Sequence, residues 1–133
     1  MKFRFLIIFF IIIAVYSCKN DAANQIKVVT VEEMNTHLQY GDVQVVDLQQ
    51  EEDYNKSHLV NAANIIYDKD FRKKLDKLDK TKPIAIYCTT GTVSPEAAKI
   101  LQKAGFTNIY LLDGGIKKWM AEKREISKNQ VKF

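Results

Sequence analysis

The chain is poor in residues that cross-link or interrupt a fold: its 133 residues include two cysteines, two prolines and five glycines. Two cysteines are too few for a disulfide scaffold or a cysteine zinc cluster, and five glycines exclude a collagen-like repeat. The hydrophobic fraction of 47% is too high for an intrinsically disordered chain. Length and composition therefore predict one globular domain, for which we expect no metal ion or cofactor.

A hydrophobic run long enough to cross a bilayer is also missing. The longest apolar run, residues 5–16, has 12 residues, whereas a transmembrane helix needs about 20. We therefore exclude a multi-pass membrane protein. Lys2 and Arg4 precede the run and Ser17 follows it, which is the order of a secretory signal peptide.

The end of this segment predicts a membrane anchor. Residues 15–18, Val-Tyr-Ser-Cys, resemble a bacterial lipobox, whose cysteine becomes the lipidated first residue of the mature protein, although Tyr16 departs from the usual small residue. An uncleaved N-terminal anchor and ordinary cleavage to a soluble product remain alternatives. All three interpretations place the domain outside the cytoplasm, on the periplasmic side of a membrane or at the cell surface. We expect a lipoprotein signal peptide over residues 1–17, lipidation of Cys18, a tether over 18–25 and a single domain over 26–133.

The charge pattern does not favour nucleic acid as a partner. Without residues 1–17 the chain has 18 basic and 16 acidic residues, so its excess of positive charge is small. The lysine-rich stretches do not interleave with aromatic residues as a nucleic-acid surface would. We interpret them as solvated surface, with contact to anionic lipid headgroups as the alternative for a tethered protein.

Short apolar segments alternate with helical ones along the rest of the chain. The segment over residues 84–87 is apolar throughout, which is typical of a central strand covered on both faces. Such alternation predicts an α/β domain with a mainly parallel sheet. Strands are predicted over residues 26–29, 43–48, 62–66, 84–87 and 106–112.

Helix signals separate these strands. Thr30 and Glu33 form a capping-box pattern at the start of the first helix. A later helix has Ser94 as its predicted N-cap and Pro95 in its first turn. Residues 49–61 form a polar loop with at most a short helix. Two further helices are predicted, one with the apolar positions Phe71, Leu75 and Leu78, and one over residues 116–121 with Trp119 in the core.

Cys88 is the candidate nucleophile because it directly follows the most apolar strand. Ligands of open α/β sheets bind outside the carboxyl ends of the strands. The next residues lead into a helix N-terminus, where backbone amides can converge on an anion and lower the pKa of a thiol. A buried structural cysteine and a disulfide between Cys18 and Cys88 are the alternatives. The predicted substrate-binding residues of the loop are Thr89, Thr90, Gly91, Thr92, Val93 and Ser94.

Four segments resemble the rhodanese family of sulfurtransferases. Residues 47–65 are similar to its first signature, and residues 84–98 to its active-site loop. Residues 104–106 and 112–119 resemble its C-terminal signature. The resemblance spans residues 26–122 in the family's order and implies a rhodanese fold, a five-stranded mainly parallel sheet with helices on both faces.

The resemblance also implies a reaction. In that family the loop cysteine, here Cys88, takes a sulfane sulfur from a donor, becomes a persulfide and passes the outer sulfur to a thiol or cyanide. The partners implied are a small sulfur-containing anion, a persulfide or a protein thiol. A weakly catalytic binding module tethered to the membrane is the alternative, and thiol redox sensing is a third possibility. The resemblance leaves the oligomeric state open.

Two departures from the family pattern concern charge. Val93 stands where the loop normally has arginine, and Gln49 stands where arginine normally follows the signature aspartate. Without guanidinium groups to hold a dianion, we expect weak use of thiosulfate and better use of a less charged persulfide or polysulfide. Phosphatase chemistry is disfavoured, because the loop is short and lacks its arginine.

The remaining polar and aromatic candidates have structural interpretations. Asp47 is a supporting residue that either caps its strand or orients the loop. His58 is a second supporting residue, either part of a turn or a base for Cys88. His37 is expected to be solvated on a surface helix, and Tyr87 to pack against the sheet.

Overall fold

The computed structural model describes residues 25–129, which form a five-stranded sheet covered by helices. All its strand pairs are parallel, in the order β1-β5-β4-β2-β3. The predicted fold class is confirmed. The strands are β1 (Gln25–Val29), β2 (Gln44–Asp47), β3 (Ala63–Asn64), β4 (Ile84–Tyr87) and β5 (Asn108–Leu112). The helices are α1 (Val31–Tyr40), α2 (Glu51–Lys56), α3 (Phe71–Lys74), α4 (Ser94–Lys103) and α5 (Gly115–Ala121).

The core lies on both faces of the sheet because successive strand residues point to opposite sides. In β4, Ile84 and Ile86 pack into the cluster with α3 and α4, whereas Ala85 and Tyr87 pack into the cluster with α1 and α5. All four residues of β4 are fully buried. This buried central strand therefore holds Cys88, the residue that directly follows it, in a fixed position.

Local sequence signals account for the start of α1. Glu33 N–H donates to Thr30 Oγ1 at 3.2 Å, and Thr30 N–H donates to Glu33 Oε2 at 2.8 Å. Two of the otherwise unpaired N–H groups are thus bonded reciprocally. The predicted capping box is confirmed.

The prediction that Ser94 caps α4 is wrong. Val93 occupies the N-cap position without a side-chain cap bond, and Ser94 is the first helical residue. Its side chain is 1% exposed and contacts Cys88 instead. The hydroxyl therefore serves the loop rather than the helix terminus.

Other differences concern boundaries and one histidine. β1 begins at Gln25, within the predicted tether, and β3 is shorter than the strand predicted over residues 62–66. The third helix is one turn followed by a 3₁₀ turn, Leu75–Lys77. His37 is not freely solvated: its ring stacks on that of Tyr110 with centroids 4.0 Å apart. The predicted signal peptide and Cys18 lie outside the described residues.

No helix within residues 25–129 has the length and apolar character needed to cross a membrane.

Trp119 is 3% exposed, as predicted for a core residue, and its indole N–H donates to the Glu125 carbonyl at 2.8 Å.

Candidate active site

Cys88 lies at the carboxyl edge of the sheet, directly after β4. Its residue surface is 4% exposed, and its thiol is free. Gly91 N–H donates to the Sγ atom at 3.0 Å, and the Ser94 hydroxyl lies 3.4 Å from Sγ. The loop thus wraps around the sulfur and directs hydrogen-bond donors at it.

These donors favour the thiolate. Burial, the largest single influence, raises the pKa of Cys88, but the Ser94 hydroxyl and the amides of Val93, Ser94 and Gly91 together lower it below the ordinary thiol value. Hydrogen bonds to the charged form favour that form. The lowered pKa therefore increases the fraction of Cys88 that is present as the nucleophilic thiolate near neutral pH.

The start of α5 clamps the other side of the loop. Ile116 N–H donates to the Cys88 carbonyl at 3.0 Å, and Lys117 N–H donates to the Thr89 carbonyl at 3.1 Å. Gly115 makes this approach possible: its φ is +62°, and a Cβ atom there would lie 2.4 Å from the Cys88 carbonyl oxygen. Only glycine fits at this position.

A cleft of about 210 Å³ opens beside the sulfur. Its walls combine apolar, amide and hydroxyl groups, and Asp53 supplies a carboxylate. No lysine, arginine or histidine belongs to this lining among the residues that the structure describes. The lining consists of Leu48, Gln49, Gln50, Asp53, Tyr67, Cys88, Thr89, Thr92 and Val93.

A buried polar network supports the loop from the neighbouring strand β2. Asp47 is fully buried and accepts the Gln49 amide N–H at 2.7 Å and the Gln49 Nε2–H at 2.9 Å. The Gln49 Oε1 atom accepts the Thr89 hydroxyl at 3.4 Å. Gln49 therefore links the Asp47 carboxylate to the residue after the candidate nucleophile.

Tyr87 completes this network. Its hydroxyl accepts the Leu59 N–H at 2.9 Å and is hydrogen-bonded to the Asp47 carboxylate. Burial, followed by the charge of Asp47, raises the pKa of Tyr87 far above its ordinary value, so the phenol stays protonated. Burial also raises the pKa of Asp47, although its bonds with Tyr87 and Gln49 oppose that shift.

His58 lies outside the lining of the cleft. Its Nδ1 atom is 2.8 Å from the Tyr54 carbonyl oxygen, and its ring stacks on Tyr54 with centroids 4.0 Å apart. Its backbone pairs with Ser127. These contacts give His58 a place in the turn after α2, without a contact to Cys88.

The predicted loop residues divide between two sides of the loop. Thr89, Thr92 and Val93 line the cleft with Cys88. Thr90 and Gly91, with Ser94, line a separate depression next to β1 and β5. The Thr90 and Thr92 hydroxyls lie 3.2 Å apart.

Sequence reasoning missed several members of the site. Gln49 was noted only as a missing arginine, yet it bridges β2 and the loop. Its signal was available, because Gln49 follows the end of a predicted strand that can neighbour β4. Asp53 and Tyr67 carry no such signal, because only the packing of α2 and the following loop brings them to the cleft. Within the described part of the chain no three His, Cys, Asp or Glu side chains are grouped to hold a metal ion.

Comparison with known proteins identifies relatives. A family model described as the Rhodanese-like domain matches residues 30–122. The thiosulfate sulfurtransferase GlpE of Coxiella burnetii is 32% identical over 80 residues, which cover 60% of this chain and 74% of that protein. A tRNA uridine(34) hydroxylase of Pelagibacter ubique is 40% identical over 77 residues, which are 56% of this chain but only 26% of that protein.

A solved structure shows the same fold. The crystal structure of the Alr3790 protein from Anabaena sp. matches with a TM-score of 0.69 and 22% identity, and the match covers 77% of this chain and 94% of that one.

Proposed function

Because this chain belongs to the rhodanese-like domain family and has sulfurtransferase relatives, we propose that it is a sulfurtransferase or sulfur carrier that works through a persulfide on Cys88. The observation that carries the proposal is the position of Sγ at the cleft, with the Gly91 amide 3.0 Å away and the Ser94 hydroxyl 3.4 Å away. Donors aimed at a sulfur stabilise the negative charge that a nucleophile or leaving group carries.

The reaction has two balanced steps. In loading, the Cys88 thiolate attacks the sulfane sulfur of a donor R–S–SH, the donor's sulfur–sulfur bond breaks, and its electron pair leaves on R–S⁻. In discharge, an acceptor thiolate attacks the outer sulfur of Cys88–S–SH, and the electron pair of the broken bond returns to Sγ. Cys88 is again a thiolate, so the same hydrogen bonds assist both steps.

The cleft favours donors of low charge. A dianion such as thiosulfate would need guanidinium or ammonium groups, and none lines the cleft within the described residues. The remaining partners are backbone amides and the Thr92 hydroxyl, because the Thr89 hydroxyl donates to Gln49 Oε1. We therefore expect a persulfide or polysulfide to load Cys88 faster than thiosulfate does.

We further propose that the protein acts outside the cytoplasm as a membrane-anchored lipoprotein. The basic start, the apolar run over residues 5–16 and the lipobox-like end at Cys18 support this location. Labelling cells that express the full chain with a radioactive fatty acid tests it. The wild-type chain should carry label and sediment with membranes, whereas Cys18→Ser should carry none. Equal labelling of both chains would contradict a lipid on Cys18.

Intact-protein mass spectrometry tests the sulfur chemistry. A Cys18→Ser chain, purified in detergent, leaves Cys88 as the one cysteine and is compared with the same chain carrying Cys88→Ser. Both are exposed to thiosulfate and, separately, to a polysulfide. We expect one added sulfur atom, removed by cyanide, in the first protein alone and with more complete loading by polysulfide.

The alternative function is a binding module. The 4% exposure of Cys88 and the absence of a cation from the described cleft lining favour recognition without turnover. No added sulfur from either donor, in a folded protein with its thiol intact, would support this alternative and contradict the transferase proposal.

A further inference from the structure

The cleft beside Cys88 has an unusual charge balance. Asp53, in the first turn of α2, is the one carboxylic acid among the described residues of its lining, and no basic side chain of those residues lines it. The side chain of Asp53 is 52% exposed, so it lies at the rim of the cleft in contact with water.

The neighbouring lysine does not cancel this charge within the cleft. Lys56 Nζ lies 3.3 Å from Asp53 Oδ1, but the lysine side chain is 71% exposed and is not part of the lining. Exposed ion pairs of this kind are held weakly because water screens them. Asp53 therefore forms part of the cleft wall, whereas Lys56 lies outside it.

Among the described residues, the rest of the lining carries no positive charge to offset that of a negative substrate. Leu48 and Val93 are apolar, and Gln50, Thr89 and Thr92 are uncharged. The Gln49 Nε2 group is already bonded to the Asp47 carboxylate at 2.9 Å and to the Ser57 carbonyl at 3.2 Å. Its donors are engaged inward, away from a bound anion.

We infer that Asp53 is a specificity-determining residue, and that the cleft selects uncharged or cationic thiols over anionic ones as sulfur acceptors. The inference rests on the proposed persulfide chemistry. An acceptor thiolate brings negative charge to the outer sulfur of Cys88–S–SH. A positively charged group elsewhere on the acceptor compensates for this charge near Asp53, whereas a carboxylate on the acceptor adds to the repulsion.

Three small thiols test the inference. In the Cys18→Ser background, Cys88 is loaded with polysulfide, and loss of the persulfide is timed with cysteamine, 2-mercaptoethanol and 3-mercaptopropionate. Each thiol is compared between the parent protein and Asp53→Asn, so the intrinsic reactivity of the thiol cancels. Asp53→Asn should accelerate 3-mercaptopropionate roughly two- to fivefold and slow cysteamine by a similar factor, as expected for a partly exposed charge. The rate with 2-mercaptoethanol should change least, and added salt should reduce all differences.

Two variants serve as controls. Lys56→Gln removes the partner of Asp53 and should increase the discrimination. Asp42→Asn removes a carboxylate at the opposite edge of the sheet, where Asp42 pairs with Lys82 at 2.9 Å, and should leave the ratios unchanged. Equal effects of Asp53→Asn on all three thiols would show a structural role and overturn the inference.

A second measurement separates this inference from the proposed function. Iodoacetamide is neutral and iodoacetate is an anion, and both alkylate the Cys88 thiolate without sulfur transfer. Asp53→Asn should lower the iodoacetamide-to-iodoacetate rate ratio roughly two- to fivefold. An unchanged ratio would overturn the role of Asp53 even if Cys88 carries sulfur. A changed ratio with no persulfide would keep the charge selection of the cleft but overturn sulfur transfer and the assignment of thiols as its substrates.

Discussion

The two edges of the sheet hold their polar residues in different ways. At the carboxyl edge Asp47 is fully buried and Cys88 is 4% exposed, and both are bonded to neighbouring backbone or side-chain groups. At the amino edge Asp42 and Lys82 form an ion pair of 2.9 Å whose side chains are 80% and 42% exposed. An aspartate therefore lies in dry surroundings at one edge and in water at the other.

This difference in burial predicts which polar residues are sensitive to substitution. A buried donor or acceptor that loses its partner costs about 1–3 kcal/mol, whereas an exposed ion pair typically contributes about 1 kcal/mol or less. The carboxyl edge should thus respond strongly to small changes, and the amino edge weakly. Similar substitutions made at a buried and at a less constrained position test this contrast.

The largest effect is expected at Gly115. Gly115→Ala places a methyl group 2.4 Å from the Cys88 carbonyl oxygen at a backbone φ of +62°. We expect a loss of about 3–5 kcal/mol in the free energy of unfolding, measured by urea denaturation, because backbone strain and a steric clash add. The matched change at the amino edge is Gly105→Ala, where φ is +102° but the nearest contact is the flexible Lys80 side chain at 3.7 Å. It should cost about 1–2 kcal/mol. Equal costs would remove the distinction between the edges.

Tyr87→Phe should have the next largest effect. It deletes the hydroxyl that accepts the Leu59 N–H at 2.9 Å and bonds to Asp47, and it leaves both groups buried without this partner. We expect a loss of about 2–3 kcal/mol in urea denaturation. The control is Tyr110→Phe, because the Tyr110 hydroxyl makes no hydrogen bond within residues 25–129 and its ring stacks on His37. It should change stability by less than about 0.5 kcal/mol. A neutral Tyr87→Phe would show that water replaces the phenol.

Ser94→Ala tests how the Ser94 hydroxyl affects the pKa of Cys88. The Ser94 hydroxyl is one of the groups that lower the pKa of Cys88, so its removal should raise that pKa. Because the thiolate form is lost as the pH falls through this pKa, alkylation by iodoacetamide near neutral pH should slow roughly two- to tenfold. The pH of half-maximal rate should move upward. Thr90→Val is the control, because the Thr90 hydroxyl lies beside Thr92 and not beside the sulfur. An unshifted pH profile for Ser94→Ala would contradict the assignment.

The pH dependence that Asp47 contributes should be the smallest of these effects, and Asp47→Asn removes it. Burial raises the pKa of Asp47 in the folded protein, so the folded state binds the proton more tightly than the unfolded chain does. The wild-type protein should therefore lose stability relative to Asp47→Asn as the pH rises from about 3.9 through the folded pKa, and the difference should then level off. Subtraction of the two curves cancels the titration of other carboxyl groups. Parallel curves would show that the carboxylate is better solvated than its burial implies.

Much of the fold could be predicted from the sequence because its signals are local. The capping box of Thr30 and Glu33 involves residues three positions apart, and the apolar run of β4 indicates its own burial. Such patterns depend on neighbours along the chain, so one sequence is enough to read them. The place of Cys88 after β4 followed from the same reasoning.

The surroundings of Cys88 were harder to predict from the sequence. Ser94 was assigned to the helix cap because its residue type fits that position, yet its hydroxyl lies 3.4 Å from the sulfur. His37 was expected in water, yet it stacks on Tyr110 of β5. In both cases a contact from another element replaced the local preference.

The sequence by itself determined the alternation of strands and helices, the parallel sheet and the strand end at which Cys88 lies. Only the tertiary structure decided what surrounds the sulfur: the Gln49 bridge from β2, the clamp of α5 on the loop and the carboxylate of Asp53 at the cleft. The physical reason is the range of the interactions. Helix and strand patterns arise between residues a few positions apart, whereas the cleft depends on which strand ends the order β1-β5-β4-β2-β3 places side by side.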